Sequence, residues 1–377
     1  MLADDTQIRL YDKSDFDTLR ADCEETESAT VIMPLDSPDQ LALTDDFKTI
    51  QGNYRYTWYA LSQACRTLSS GLGRVIWDIS GRAETKDEAP VSPLVAARML
   101  NATVRTRFPA RLMGWQLLVN TRTQTIEAVL GRGYRRLPNI VFLEAVHSTL
   151  SQSMRFDSAG LSGRRLVAYY IGDPHSTDIL PTPEYSYGVV ASNSETADAG
   201  VRVRRTVCLG SLACFQRPKD GLKVVRHTGR KFEDKIRALL LNAATAPKED
   251  AQALMEAAWE SCAQRNIGFT GTSDETDIEA RDAVVTTLRH LGLSKLFCRK
   301  ALRRALFSGG LESPDGEAVR EQTAHLWSSR SWGDVLISLA AEVAVLPAHH
   351  PTREKVERLC YTQLFTKNQG DPFNDSC

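Results

Sequence analysis

The fold is best indicated by residues 185–214, which read Tyr185-Ser-Tyr-Gly-Val-Val-Ala-Ser-Asn-Ser-Glu-Thr-Ala-Asp-Ala-Gly-Val-Arg-Val-Arg-Arg-Thr-Val-Cys-Leu-Gly-Ser-Leu-Ala-Cys214. Apolar and polar side chains alternate over residues 185–189, and valines alternate with arginines over residues 201–204. Such alternation is typical of strands with one buried face. Residues 192–200 between the two runs are polar and turn-forming. We therefore expect a strand, a loop and a second strand, closed by a turn at Gly210-Ser211.

The remaining patterns predict an α+β protein, with an antiparallel β-sheet and helices in the first two-thirds and an all-helical C-terminal third. From Phe232 onward the apolar residues follow helical spacing. Earlier, the spacing predicts helices over 54–72 and 138–154, a helix from Pro93 to Pro109, a hairpin over 115–130, and strands over 74–79 and 164–172. The predicted parts are an acidic N-terminal arm (1–50), an α+β domain with a basic sheet face (51–231), a helical domain (232–366) and a polar tail (367–377).

Charge is distributed unevenly, although the net charge is only −1. Residues 1–50 carry thirteen Asp or Glu against four Lys or Arg, a net charge of −9. Residues 98–237 carry twenty-two Lys or Arg against eleven Asp or Glu, a net charge of +11. Such an asymmetry favours binding to a polyanion, or neutralisation of the basic centre by the acidic arm. The sequence leaves these two interpretations open.

Several function classes lack support in the sequence. No apolar run is long enough to span a membrane, and the first ten residues do not resemble a secretory signal. The eight cysteines are scattered without a zinc-site spacing, so we expect reduced thiols, no metal and no cofactor. We find no phosphate-binding glycine loop and no hydrolase or metalloprotease motif. We therefore favour a protein that is not an enzyme.

The basic centre supplies the candidate binding residues. Proteins that bind single strands without sequence preference typically use one sheet surface, on which arginines contact phosphates and tyrosines stack on bases. Tyr134, Tyr169, Tyr170, Tyr185 and Tyr187 lie among the arginines. The arginines that we predict to contact nucleic acid are Arg135, Arg136, Arg202, Arg204, Arg205, Arg226 and Arg230.

A polar cluster interrupts the two strands at Asn193, Ser194, Glu195 and Asp198. Carboxylates and an amide in a loop can hold a divalent cation, and Glu195 with Asp198 would then suit a metal-dependent nuclease. The same short side chains also satisfy loop backbone groups in turns, which is the interpretation we favour. His227 can contact phosphate or cap the helix that follows it.

Three segments resemble the motifs of a known family. Ile126–Asn139 resembles its strand followed by Ser-x-x-Tyr-x-x-x-Asp/Asn, and Asn193–Cys208 resembles its Asn-Ser-Glu, strand and Cys. Arg226–Arg230 resembles the motif that opens its helical part. In this order they resemble domain of unknown function 932, a phage/plasmid-like protein family of mobile elements, over roughly residues 50–365. The motif residues are Asn193, Ser194, Glu195, Cys208 and His227.

This chain departs from the family at one place, because Gly210-Ser211 replaces the Asn-Gly that follows the cysteine. A tight turn is still compatible with Gly-Ser, but no role of the Asn amide carries over. The resemblance implies a mobile-element context without an established activity. From the scattered cysteines and the missing export signal we expect a cytoplasmic protein of a bacterial host cell. We expect non-catalytic binding of single-stranded DNA in mobile-element replication or recombination, with homo-oligomers as an option. The alternative is a protein-interaction or virion structural module that contacts an acidic partner and no DNA.

Overall fold

The structure is a computed structural model that combines helices and sheets. In the part of the chain that it describes, five helices accompany two sheets, whose strands are antiparallel except for one pair. The mixed α+β class predicted from the sequence is thereby confirmed. The described residues are 8–69, 92–176, 184–197, 199–209, 213–216, 223–228 and 231–244, together with Leu72, Arg289, Arg353 and Val356.

The larger sheet has seven strands, and it contains the two strands predicted from residues 185–214. Its order is β1-β6-β7-β8-β9-β10, and β11 also pairs with β9. Along β8, Val189 and Ala191 face a buried core, while their neighbours face the opposite side of the sheet. The strands are β1 (Ile8–Tyr11), β6 (Arg155–Ser162), β7 (Arg165–Ser176), β8 (Glu184–Ser194), β9 (Val201–Leu209), β10 (Ala213–Gln216) and β11 (Lys223–Val225).

The smaller sheet has four strands in the order β2-β4-β5-β3. The hairpin predicted over 115–130 is confirmed as β4 and β5. β3 runs parallel to β5, and β2 pairs with β4 along its whole length. The strands are β2 (Thr30–Leu35), β3 (Arg55–Tyr56), β4 (Trp115–Asn120) and β5 (Thr125–Leu130).

Each sheet buries one face under its own helices. α1, α4 and α5 form one core with the larger sheet, and α2 and α3 form another with the smaller sheet. Both cores consist mainly of aliphatic and aromatic side chains whose burial drives folding. The helices are α1 (Phe16–Ser28), α2 (Trp58–Leu68), α3 (Pro93–Arg111), α4 (Asn139–Leu150) and α5 (Phe232–Ala244).

Two predicted boundaries are wrong. The acidic segment 1–50 is not an arm over residues 8–50, because β1 pairs with β6 and β2 pairs with β4. Its acidic composition concealed the few apolar side chains, such as Leu19 and Cys23, that α1 buries. No domain boundary falls before Phe232 either, because α5 packs in the same core as the larger sheet.

α3 begins at Pro93 as predicted but continues past Pro109 to Arg111. A proline removes one backbone N–H and interferes with the carbonyl one turn earlier. In the last turn this disturbance is small, so the helix runs on and closes with a bond from Leu112 N to Phe108 O. The predicted strand 74–79, the helices after residue 244 and the tail 367–377 lie outside the described residues.

His147 on α4 is a partly buried core histidine, as its sequence context favours. Its ring stacks on Phe16 with centroids 4.1 Å apart, and its Nδ1 lies 3.2 Å from the Tyr170 hydroxyl. Burial lowers the pKa of His147, and the carboxylate of Asp17 opposes this only in part. The fold therefore prefers the neutral imidazole.

We expect the stability of the fold to decrease as the pH falls below about 6.5, the ordinary pKa of histidine. The unfolded chain then binds a proton at His147 more readily than the folded chain, so protonation favours unfolding. Urea midpoints measured from about pH 7.5 to about pH 5.5 should fall more for the native protein than for His147→Gln. An equal fall in both proteins would show that His147 does not carry the effect.

Candidate functional site

The three segments that carry the family resemblance come together where the two sheets meet. Five charged side chains lie there, and we name them the junction cluster. They come from the last turn of α1, from β5, from the loop before α4, and from the turns before β7 and after β8, which lie side by side. They are Glu27, Glu127, Arg136, Arg164 and Glu195.

Glu195 is the centre of this cluster, and its side chain is only 2% exposed. Its Oε2 accepts hydrogen bonds from Nε and Nη2 of Arg136 at 2.9 and 2.6 Å. Its Oε1 accepts a hydrogen bond of 2.6 Å from the backbone N–H of Asn139, at the start of α4. A carboxylate at a helix amino terminus satisfies a free N–H and complements the helix dipole.

Both arginines of the junction cluster bridge two carboxylates. Arg136 also binds Glu27, with Nη1 3.0 Å from Oε1. Arg164 pairs with Glu127, and its Nη1 lies 3.5 Å from Oε2 of Glu195. The Arg136 and Arg164 side chains are only 7% and 3% exposed. Removing one of their carboxylate partners would therefore leave a buried positive charge that water cannot solvate.

The pKa values follow from this burial. Burial alone would lower the pKa of Arg136, but the carboxylates of Glu27 and Glu195 outweigh it and raise the pKa above its usual value. Burial raises the pKa of Glu127. The positive charge of Arg164 lowers this pKa but offsets the effect of burial only in part. Arg136 is therefore a permanent cation whose charge is used inside the protein.

Hydrogen bonds tie the motif segments to one another around the junction cluster. The Asn193 amide donates to the Leu137 carbonyl at 2.9 Å and to Oδ1 of Asn139 at 2.8 Å. The Tyr134 hydroxyl donates to the Ser194 carbonyl at 3.1 Å. The His227 ring stacks on Tyr134 with centroids 5.0 Å apart. The backbone N–H of Arg135 also donates to the His227 carbonyl at 2.7 Å.

This arrangement is suited to holding the two sheets together rather than to catalysis. The Glu195 carboxylate is engaged by two arginines and a backbone N–H, which leaves it unsuited to bind a cation. Among the described residues, no group of three His, Cys, Asp or Glu side chains has a metal-binding arrangement. Asp198, the second carboxylate of the nuclease interpretation, lies outside the described residues.

The structure separates the seven predicted phosphate contacts into three groups. Arg136 and Arg204 are wrong as phosphate contacts, because both side chains are buried in the protein. Arg202 and Arg205 are half-buried, and Arg205 donates to the Asn242 carbonyl of α5 at 2.8 Å. Arg135 and Arg226 are exposed to solvent, whereas Arg230 lies outside the described residues.

The predicted stacking surface is also wrong in its central residues. Tyr169 and Tyr170 point to opposite sides of β7, and each is buried. The Tyr169 ring is covered by the Arg353 guanidinium, which lies 4.8 Å from its centroid. Cys208 is a buried cysteine on β9, opposite Cys214 of β10. None of these side chains is available to bases.

A different basic surface emerges on α3, which the sequence reasoning missed. The helix contains four arginines, all exposed, and no Asp or Glu. None of the four makes an ion pair with any residue that the structure describes. The available signal was the scarcity of acids, since Glu127 is the only one between Ser92 and Pro138. The four are Arg98, Arg105, Arg107 and Arg111.

Further exposed arginines continue from the end of α3. Arg132 Nε donates to the carbonyl of Met113, just after the helix, at 2.8 Å. Arg135 follows in the same loop, and its backbone bond to His227 places it beside Arg226. We name these seven residues the basic track: Arg98, Arg105, Arg107, Arg111, Arg132, Arg135 and Arg226.

No protein-family model, no curated protein and no solved structure matches this chain. The resemblance to domain of unknown function 932 therefore stays a prediction. Among the described residues, no helix is both long enough and apolar enough to cross a membrane.

Proposed function

We propose that this protein is a non-catalytic nucleic-acid-binding protein of a mobile element, acting in the cytoplasm of its bacterial host. The observation that carries the proposal is the basic track, and above all the four exposed arginines of α3. Guanidinium groups bind phosphate oxygens through charge-assisted hydrogen bonds. A row of them releases the counterions of a polyanion, which supplies most of the affinity of non-specific binding.

Among the residues that the structure describes, no carboxylate neutralises the basic track. The acidic segment 1–50 does pair with the basic centre, but through Glu25 with Arg122 and Glu27 with Arg136. Both arginines lie outside the basic track. The two interpretations that the charge asymmetry left open therefore apply to different arginines, and α3 retains its positive charge for a partner.

A lipid surface is a poorer match for α3 than a nucleic acid. A helix that lies on a membrane inserts its apolar stripe between the headgroups. Leu100, Val104 and Phe108 of α3 are buried against α2 and the smaller sheet, and its exposed large apolar side chains are confined to the first two turns. Its exposed face carries Arg98 and Arg105, which lie on one side of the helix because they are seven residues apart, and this suits binding to phosphates.

The second candidate function is a protein-interaction module with an acidic partner. It is favoured by Leu94, Val95 and Met99, which are 39%, 46% and 50% exposed in the first two turns of α3. Apolar residues beside arginines are common at the centres of protein interfaces. This candidate predicts no binding of nucleic acid at physiological salt.

We expect Arg98→Gln/Arg105→Gln to weaken nucleic-acid binding on the order of 10- to 100-fold near 0.1 M salt. Each lost phosphate contact removes the counterion release of one site, so the salt slope should also fall by about 2. The measurement is fluorescence anisotropy of the full chain with labelled oligonucleotides, both single-stranded and duplex, over a salt series.

The matched control is Arg155→Gln/Arg237→Gln, which removes the same charge from exposed arginines of β6 and α5. We expect this control to change affinity less than about threefold, because long-range charge effects are screened at this salt. No binding of either oligonucleotide by the native protein would overturn the proposal and favour an acidic protein partner. Equal weakening by both double variants would refute α3 as the contact surface.

A further inference from the structure

The described surface has no fully exposed aromatic ring of the kind with which proteins hold single strands. Every Phe, Trp and Tyr whose side chain the structure describes is buried or half-buried. The large apolar side chains exposed in the described ranges are all Leu, Ile, Val or Met. Base stacking on exposed rings supplies about 1–3 kcal/mol per base in single-strand binding. A single strand on the basic track would therefore be held by phosphate contacts without this contribution.

The arginines of α3 are held on a rigid rod. At about 1.5 Å per residue, Arg98 and Arg111 are separated by roughly 20 Å along the helix axis. The helix is fixed by Phe108 and Leu100 in the core of the smaller sheet, so the spacing of the arginines is pre-formed. Fixed cations suit a polyanion whose phosphates are also fixed, because neither partner loses much conformational freedom on binding.

A DNA duplex offers such a partner, with one negative charge for about every 1.7 Å of its axis. Each phosphate contact contributes about 0.9 to the salt slope on a duplex and about 0.7 on a single strand, so the duplex gains more for the same arginines. A flexible single strand would in addition have to be ordered along the helix without stacking in return.

α3 offers no free amide side chain for reading adenine. Asn101 is its one Asn or Gln, and its amide is occupied by the backbone of Leu43. The Oδ1 accepts from Leu43 N and the Nδ2 donates to Leu43 O, both at 2.7 Å. The exposed polar side chains of the helix are the four arginines and Thr106. Contacts to phosphates position a protein on DNA without carrying sequence information.

We propose that the nucleic acid bound by α3 is double-stranded DNA, held through its phosphates without base stacking and without sequence preference. This inference rests on the proposed function, and it replaces the single strand expected from the buried tyrosines. Arg98 and Arg105, seven residues apart and therefore on one face of the helix, contact the backbone phosphates. Arg107 and Arg111 lie on another face and add to the positive charge around the contact.

The test compares a labelled duplex of about 20 base pairs with a labelled, non-self-complementary single strand of equal length, from about 50 to about 200 mM salt. We expect the full chain to bind the duplex at least about tenfold more tightly, with the steeper salt slope. Duplexes of unrelated sequence should compete within about threefold of one another, since the contacts are to phosphates. Arg98→Gln/Arg105→Gln should remove most of the duplex preference, whereas Arg155→Gln/Arg237→Gln should retain it.

The outcomes separate the two proposals. Tighter binding of the single strand, still weakened by Arg98→Gln/Arg105→Gln, would overturn the duplex inference and leave nucleic-acid binding intact. A preference for one duplex sequence by more than about a hundredfold would overturn the phosphate-only contact, because that ratio requires base readout. No binding of either oligonucleotide would overturn both proposals together.

Discussion

Replacing Glu195 with alanine is expected to lower the free energy of unfolding by about 3–5 kcal/mol, the usual cost of removing one partner of a buried ion pair. Arg136 would keep Glu27 as its remaining carboxylate, and Arg164 would keep Glu127. Two buried guanidiniums would then lose their shared partner. The backbone N–H of Asn139 would lose its acceptor as well. Urea unfolding followed by circular dichroism measures the change.

The matched control for this variant is Glu25→Ala. Glu25 forms an ion pair with Arg122, as Glu195 does with Arg136. The side chains of Glu25 and Arg122 are both more than half exposed. An exposed ion pair contributes less than about 1 kcal/mol, so Glu25→Ala should leave the urea midpoint nearly unchanged. Equal losses in the two variants would refute the central role that the structure assigns to Glu195.

Replacing Phe108 with alanine is expected to lower the free energy of unfolding by about 3–5 kcal/mol, through lost burial and the cavity that remains. Phe108 lies in the last turns of α3, and only 1% of it is exposed. It packs in the core that joins α3 to α2 and the smaller sheet. Thermal and urea unfolding should both show the loss.

Met99→Ala on the same helix is the control, because Met99 is half exposed. Its change should stay within about 0.5 kcal/mol, since alanine is a good helix former and little buried surface is removed. A folded Phe108→Ala protein should also bind the duplex less tightly, because the arginines would lose their fixed spacing. A stable Phe108→Ala protein with unchanged affinity would contradict the role of the core in holding them.

Local patterns predicted much of the fold. The alternation in residues 185–214 gave the correct positions of β8 and β9, and the hairpin over 115–130 was equally clear. Pro93 after Ser92 located the start of α3. These features depend on periodicity and on backbone preferences within a few residues, which any window of sequence contains.

The pairing of distant segments could not be predicted in the same way. β1 and β6 are joined by hydrogen bonds between backbones, and the four residues of β1 carry no pattern that names their partner. Whether a given arginine is exposed or buried could not be predicted from local sequence either. Arg135 and Arg136 are neighbours in sequence, yet one is exposed and the other is buried between two carboxylates. Only the tertiary contacts distinguish them.

The candidate site was predicted in part. The motif residues Asn193, Glu195 and His227 lie beside the loop before α4. Their chemistry differs from the expectation, because they hold the backbone and the buried charges of the junction. The surface proposed to bind DNA lies on α3, where the signal was an absence of acids rather than a motif.

The pairing of β1 with β6 determines the order in which this protein can fold as it is synthesised. All four strands of the smaller sheet have left the ribosome once Leu130 has emerged, so this sheet can assemble early. β1, although made first, has no strand to join until Ser162 has followed. Because folding during synthesis usually proceeds from the N-terminus, residues 8–28 are an exception. β1 therefore waits for a partner that is made much later in the chain, and until then its backbone is open to chaperones and to other chains.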